Sequence, residues 1–370
     1  MRLSLFYELG AEDPSDPHLL RQRFEEAIEQ VVLADQLGFD TVWAVEHHFL
    51  PGYSSMSCPE LFLTALARHT KDIRLGHGIV HLPYRINNPI RVAERIATLD
   101  LLSGGRVEFG GGRAQSHEEL AGFSVDPAET QAQWAEALQI IPRMWTEDLF
   151  EYQSDLISIP PRCVTPKPLQ VPHPPMWVAS TQPASVEFAA SQGLGILAFG
   201  VSGLNSLDLV QLYREKVRDA RPVSGHVNDQ FALMRIALCL PTDDEALRAQ
   251  EYDYWLFNRH VAELFRPWVE GEVPPSFEYL VESHRRAAAG ASKYSLEQLV
   301  EMDQACIGSP DTCVRVLNDL AAKGVDEVML FLQGARTPHE LILESLRLFA
   351  SEVMPRLEPT RRDTAAASVS

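Results

Sequence analysis

The sequence predicts an α/β protein built as a single (β/α)8 TIM barrel, with an inserted lid before the last βα unit. Three observations carry that expectation. Short apolar runs alternate with longer stretches of helical periodicity along the whole 370-residue chain. Eight such pairs can be counted, the number that closes a barrel, whereas an open sheet needs no particular number. The first strand continues as Glu8-Leu9-Gly10-Ala11-Glu12, which is not the glycine fingerprint that opens a doubly wound nucleotide-binding sheet.

Residues 3–9 are the expected first strand and 20–37 the first helix, where Phe24, Ile28, Val31 and Ala34 recur at helical spacing and Gly38 supplies the stop. Strand two covers 41–45, with a helix over 59–68. Strand three covers 73–82, followed by a helix over 89–102 that opens on a proline at its first turn. Strand four, 106–109, runs into Gly110-Gly111-Gly112, and a helix over 127–145 comes next. Strands at 176–179, 195–199 and 231–240 are each followed by a helix, near 184–192, near 207–218 and over 243–265. A helix over 311–323, strand eight at 327–332 and a helix over 338–353 complete the count.

Two stretches exceed a minimal barrel: the proline-rich 149–175, and 266–305, which is broken by Pro267, Gly271, Pro274, Pro275 and Gly290. Loops that long serve as lids or binding loops rather than filler, so 266–305 is the expected lid. Residues 1–357 are then one domain and 358–370 a disordered tail.

With 32 Lys+Arg against 51 Asp+Glu, the formal net charge is −19. That field opposes nucleic acid and anionic membranes as partners, and an anionic cofactor would have to be held by local groups. Five scattered cysteines without a CxxC pair suggest neither a disulfide framework nor a cysteine zinc site. No signal peptide and no run of about 18 apolar residues is visible, so a cytoplasmic protein is expected.

Barrel chemistry sits at the C-terminal ends of strands. Strand two ends in Glu46-His47-His48-Phe49; neighbouring strand residues face opposite ways, so only one histidine can point into the mouth. Strand three carries Gly76 and Gly78, which suit a bulge or the close approach of a flat ligand. His77 and His81 could share a face, but no matched carboxylates complete a metal site, and none is expected. The run Gly110-Gly111-Gly112-Arg113 suits a phosphate or a ring edge. After strand five, Ala179-Ser180-Thr181 and then Ser185 offer either a plain N-cap or an anion site at a helix N-terminus.

Taken together, "GFDTVW" before Glu46-His47-His48-Phe49, "RLGHGIVHLP", "NPIRVAERIATLDLLSGGRVEFGGGR", "PPMWVAS" and "IGSPDT…GVDEVMLF" resemble the bacterial luciferase-like flavin-dependent monooxygenase family, in order from residue 1 to about 357. The resemblance implies an oxidoreductase, a two-component FMN-dependent monooxygenase. Such an enzyme takes FMNH2 from a separate flavin reductase, reacts it with O2 to a C4a-peroxyflavin, and oxygenates a small or medium organic substrate by hydroxylation or Baeyer–Villiger insertion. Carried over by residue, it implies that His47 is the catalytic histidine. Gly78-Ile79 would form a non-proline cis peptide against the flavin ring, Arg113 would lie near the FMN phosphate, and Ala179, Ser180, Thr181 and Ser185 would form the phosphate-side turn. It also implies a homodimer through the helices near strands two and three. A deazaflavin-dependent oxidoreductase of the same superfamily and a non-catalytic flavin-binding protein are the alternatives. Aromatics of the loops and the insertion, among them Phe6, Phe49, Tyr53, Phe257, Phe265 and Tyr279, are candidates for a substrate pocket.

Overall fold

All eight expected barrel strands are present in the computed structural model, which describes residues 1–180, 182–199, 206–223, 225–291 and 294–359. The strands in chain order are β1 (Arg2–Tyr7), β2 (Thr41–Ala44), β3 (Arg74–His81), β4 (Val107–Gly112), β5 (Phe150–Gln153), β6 (Ser158–Arg162), β7 (Met176–Ala179), β8 (Gly195–Phe199), β9 (Phe231–Cys239), β10 (Cys306–Gly308) and β11 (Glu327–Phe331). Parallel pairing runs β1–β2–β3–β4–β7–β8–β9–β11 and returns to β1, so the sheet closes. Strands buried on both faces explain the near-continuous apolar runs in the sequence. β10 is a short addition beside β9. The proline-rich stretch contains the antiparallel hairpin β5–β6, outside the barrel.

The first seven helices are α1 (Pro17–Leu37), α2 (Pro59–His69), α3 (Pro89–Ser103), α4 (His117–Gly122), α5 (Thr130–Thr146), α6 (Pro183–Ser191) and α7 (Ser206–Lys216). Then come α8 (Asp243–Glu270), α9 (Glu278–Ala291), α10 (Leu296–Glu301), α11 (Pro310–Ala322) and α12 (His339–Leu348). No helix among the described residues is long and apolar enough to cross a membrane. Of the expected tail, Glu358 is tied down by its N–H to Asn318 Oδ1 at 2.9 Å, and residues 360–370 lie outside the described residues.

The barrel interior is layered. At the N-terminal ends of the strands, Trp43 and Trp177 meet edge to face at 5.3 Å. Each indole donates to a buried carboxylate, Trp43 to Glu327 at 2.7 Å and Trp177 to Glu108 at 2.6 Å. Arg2 and Arg74 neutralise those two acids. Gly76 and Gly195 leave room for the two indole rings, so Gly76 serves packing and not a ligand. One layer up, Phe6 packs against Phe199 at 5.4 Å and Phe331 at 5.9 Å. A plugged floor and an aromatic middle leave the C-terminal mouth as the open end.

Over that mouth lie the C-terminal half of α8 and α9. The helix expected to stop at 265 continues through Pro267 to Glu270 as α8. α9 folds back on α8. Trp268, Phe277, Leu280 and Val281 form a small core with Ala114 and Leu120 of the β4–α4 segment, separate from the main core. Trp268 and Phe277 stack at 5.0 Å, and Trp268 donates to the Gln115 carbonyl at 2.9 Å. The barrel end of α8 is pinned by Asp253, which accepts from the backbone N–H and hydroxyl of Thr337 at 2.7 and 2.6 Å.

Candidate active site

Between the barrel mouth and α8–α9 is a cavity of about 220 Å³. Its walls come from strand ends: Glu8 after β1, His47 after β2, His81 on β3, Arg113 after β4, and Ala179 and Ser180 at β7. Its roof is mostly apolar, with Phe257, Val261 and Phe265 from α8 and Leu280 from α9, interrupted by Asn258 and His284. Three non-glycine residues at this rim, Leu9, Phe49 and Ala114, have φ of 54°, 60° and 58°. Such left-handed backbone costs about 1–3 kcal/mol per residue and clusters at functional sites.

His47 lines the cavity and His48 does not; β2 ends at Ala44, and Val45 and Glu46 line the cavity as well, so strand alternation does not decide between the two histidines. His48 instead binds Glu46 through Nε2 at 3.0 Å, and Glu46 also accepts from the His81 N–H and Asn87. His47 Nδ1 lies 3.0 Å from Glu119 Oε1, and its Nε2 lies 3.7 Å from Glu8 Oε2. Burial disfavours an imidazolium here, but Glu119 and Glu8 outweigh it and push the His47 pKa up to about 9. Burial also works against the Glu119 charge, yet the imidazoles of His81 and His47 outweigh it and hold the acid well below the usual carboxylate range. Glu8 moves the other way: burial dominates and raises its pKa. Burial likewise lowers His81, and lowers His77 to about 4.

Glu8 and Glu119 were not singled out by sequence. Both are far from His47 along the chain, and Glu119 is one of two adjacent glutamates; the available signals were the position of Glu8 at a strand end and the Ser116-x-x-Glu119 spacing of a helix start. The carboxylates missing from the sequence-level metal pattern are therefore present. Among the described residues, Glu46, His48 and His81, and His47, His81 and Glu119, each bring ligand atoms within 4.8 Å of one another. His77 belongs to neither group, because β3 shifts register between His77 and Val80.

That irregularity is the bulge the glycine pattern suggested, and it puts Gly78 and Ile79 on the cavity wall. The peptide bond between them is trans; the cis bonds among the described residues are Thr165–Pro166 and Val171–Pro172. The expectation of a cis bond at 78–79 is thus not met, the bulge alone turning the strand here. The glycine run of β4 also has a reason other than a phosphate. A side chain on Gly112 would collide with Ile79, and one on Gly111 with Leu82.

Arg113 lines the cavity and is a candidate to hold an anion. Its guanidinium donates to Thr130 Oγ1 and Ser276 Oγ, both at 3.0 Å, and lies over the Phe277 ring at 4.6 Å. It has no ion-pair partner among the described residues, its Nε is buried without a hydrogen bond, and burial lowers its pKa. After β7, the strand paired with β4, Ser180 and Ser185 flank the start of α6, whose Gln182 N-cap makes no side-chain cap bond. Helix N–H groups left open in this way favour an anion. Thr181 lies outside the described residues. A partly buried cation without a carboxylate partner among the described residues, lining the same cavity as the uncapped start of α6, fits a phosphate. Of the aromatic candidates, Tyr53, Phe257, Phe265 and Tyr279 line the cavity, whereas Phe6 packs in the barrel and Phe49 is exposed.

Fold and site together define an α/β barrel whose mouth holds an arginine and a histidine in one cavity under two helices. Residues 1–327 match the family described as luciferase-like monooxygenase, and the chain belongs to that family. It is 30% identical to 4-hydroxyprotoasukamycin monooxygenase of Streptomyces nodosus subsp. asukaensis, over 96% of this chain and 90% of that one. It is 27% identical to the oxygenase component of the flavin-dependent trigonelline monooxygenase of Acinetobacter baylyi, over 100% and 99%. Among solved structures, the oxygenating constituent of 3,6-diketocamphane monooxygenase from Pseudomonas putida, in complex with FMN, matches with a TM-score of 0.76 at 21% identity, over 97% and 99%. An F420-dependent secondary alcohol dehydrogenase shares the fold at a TM-score of 0.71 and 17% identity, over 96% and 99%.

Proposed function

We propose that this protein is the oxygenase of a two-component system, taking FMNH2 from a separate flavin reductase and using O2 to hydroxylate an organic molecule or insert oxygen beside its carbonyl. The observation that carries the reading is Arg113, a half-buried guanidinium without a carboxylate partner among the described residues, lining one cavity with His47 and with the start of α6, which follows β7, the strand paired with β4. When bound, the reduced flavin supplies the two electrons with which one oxygen atom enters the substrate and the other leaves as water.

The chain's own residues have distinct tasks. Arg113, Ser180, Ser185 and the start of α6 bind the phosphate, with Thr181 as a further candidate in the same turn. Gly78 and Ile79 present a bulged wall to the flat ring, with Ala179 at the adjoining strand end. His47 holds a proton on Nε2 at the cavity wall, where it stabilises negative charge on oxygen. Phe257, Val261, Phe265 and Leu280 keep water out, so α8–α9 acts as the lid, and its footing on the β4–α4 segment ties it to Arg113. The exposed Leu61 of α2 and Leu101 and Leu102 of α3 support a homodimer through those helices.

A thermal-shift and product screen tests the function. The full chain with FMN, a flavin reductase and a reductant is offered carbonyl, terpene and polyketide compounds, with a deazaflavin arm as control. A product heavier by one oxygen in the FMN arm is expected; turnover with the deazaflavin alone refutes the reading.

A further inference from the structure

The geometry points to Glu119 as the positioning residue for His47: its carboxylate grips Nδ1 and keeps the ring a cation with Nε2 turned to the cavity, while Glu8 faces the ring from the other side. The functional meaning of this clamp rests on the role proposed for His47.

Glu119 is itself held on every side. It is 1% exposed and lies in the first turn of α4, which Ser116 caps by accepting the Glu119 N–H at 3.1 Å. Ser116 Oγ also donates to Oε2 at 2.8 Å. Oε1 accepts the His48 N–H at 3.0 Å and meets His47 Nδ1 at 3.0 Å. A carboxylate with both oxygens engaged cannot rotate away, and it requires a proton on Nδ1. Without that proton, two acceptors would face each other in a buried site.

The other groups around the ring lead to the same conclusion. From the end of β1, Glu8 Oε2 lies 3.7 Å from Nε2, while its Oε1 accepts the Tyr53 hydroxyl at 3.1 Å. Tyr53 meets the ring edge to face at 5.3 Å. From β3, His81 lies 5.8 Å away, and burial lowers its pKa. On its own strand, Glu46 is engaged with His48. The nearest charges are therefore acidic on both sides of one imidazole. A neutral ring with its proton on Nδ1 would leave Nε2 a bare acceptor facing Glu8; a cation donates to Glu119 from Nδ1 and sets a positive N–H at ion-pair distance from Glu8. The second proton on Nε2 is the one that reaches the cavity.

The test is an NMR titration of the full chain carrying ¹⁵N-labelled histidine, with the His47 signals assigned from His47→Gln. Ring nitrogens of His47 protonated at both positions at pH 7.5, with a midpoint near 9, are expected. Glu119→Gln should lower that midpoint by about one unit or more, a tenfold or larger fall in proton affinity. The alkaline limb of the flavin reoxidation rate should move with it, and Glu119→Asp should restore part of the shift. Ser116→Ala leaves the carboxylate in place and should give a smaller shift in the same direction, which keeps the test open if Glu119→Gln does not fold. A neutral His47 at pH 7.5, a midpoint unmoved in these variants, or stoichiometric bound metal in place of the proton would overturn the assignment. A high midpoint in a chain that binds no flavin supports the clamp and refutes the monooxygenase reading instead.

Discussion

Replacing Arg113 with alanine should weaken FMN binding far more than riboflavin binding, because the two ligands differ only in the phosphate. In the structure the guanidinium is committed to neutral partners, Thr130 and Ser276, and to the Phe277 ring, so its charge remains available to an anion. A hydrogen bond to a charged group contributes about 1.5–3 kcal/mol, which corresponds to roughly 10- to 150-fold in Kd. The net charge of −19 means that no general field helps the phosphate, which favours the upper end of that range. Arg113→Lys keeps the charge but loses the planar fork and the stacking on Phe277, so only part of the affinity should return. The assay is fluorescence titration of both ligands against wild type and both variants. Equal losses for FMN and riboflavin would mean that Arg113 acts through the lid, which it touches at Ser276, and no loss for either would remove it from the site. Both results refute the anion-anchor assignment.

Three further outcomes are expected. His47→Ala should leave flavin affinity close to wild type while slowing oxygen transfer by about 10²-fold or more and raising hydrogen peroxide release; unchanged coupling to product contradicts the role given to His47. Trp268→Ala removes the centre of the lid's own core, a loss on the order of 3–5 kcal/mol that should fall on α8–α9 rather than on the barrel. Hydrogen exchange should quicken selectively there, and a uniform drop in global stability would contradict it. Gln333, at 1% exposure, has neither amide atom hydrogen-bonded within the described protein, so Gln333→Leu should be near neutral or stabilising by urea unfolding; a loss above about 2 kcal/mol contradicts that reading.

The barrel was legible because parallel strands covered on both faces must be apolar throughout, and those runs recur at regular intervals. What misled was local. Pro267 signals a helix end, yet α8 continues to Glu270, and Trp268 packs in the lid core. The glycines of β4 invited a phosphate, but they make way for Ile79 and Leu82, a packing need that appears only when β3 and β4 lie side by side. The hairpin β5–β6 was hidden by its prolines, which an edge strand tolerates. His47 could be found because a histidine pair at a strand end is unusual. Its two carboxylates come from a different strand and from a helix, and only the closed barrel brings them to one ring.

The most direct measurement is an anaerobic titration of the full chain with FMNH2, followed by exposure to oxygen while flavin reoxidation is recorded. Saturable binding at one site per chain, with reoxidation kinetics distinct from those of free FMNH2, is predicted. Reoxidation indistinguishable from free flavin, or binding of a deazaflavin with no binding of FMNH2, would contradict the assignment of this cavity to an FMN-dependent oxygenase.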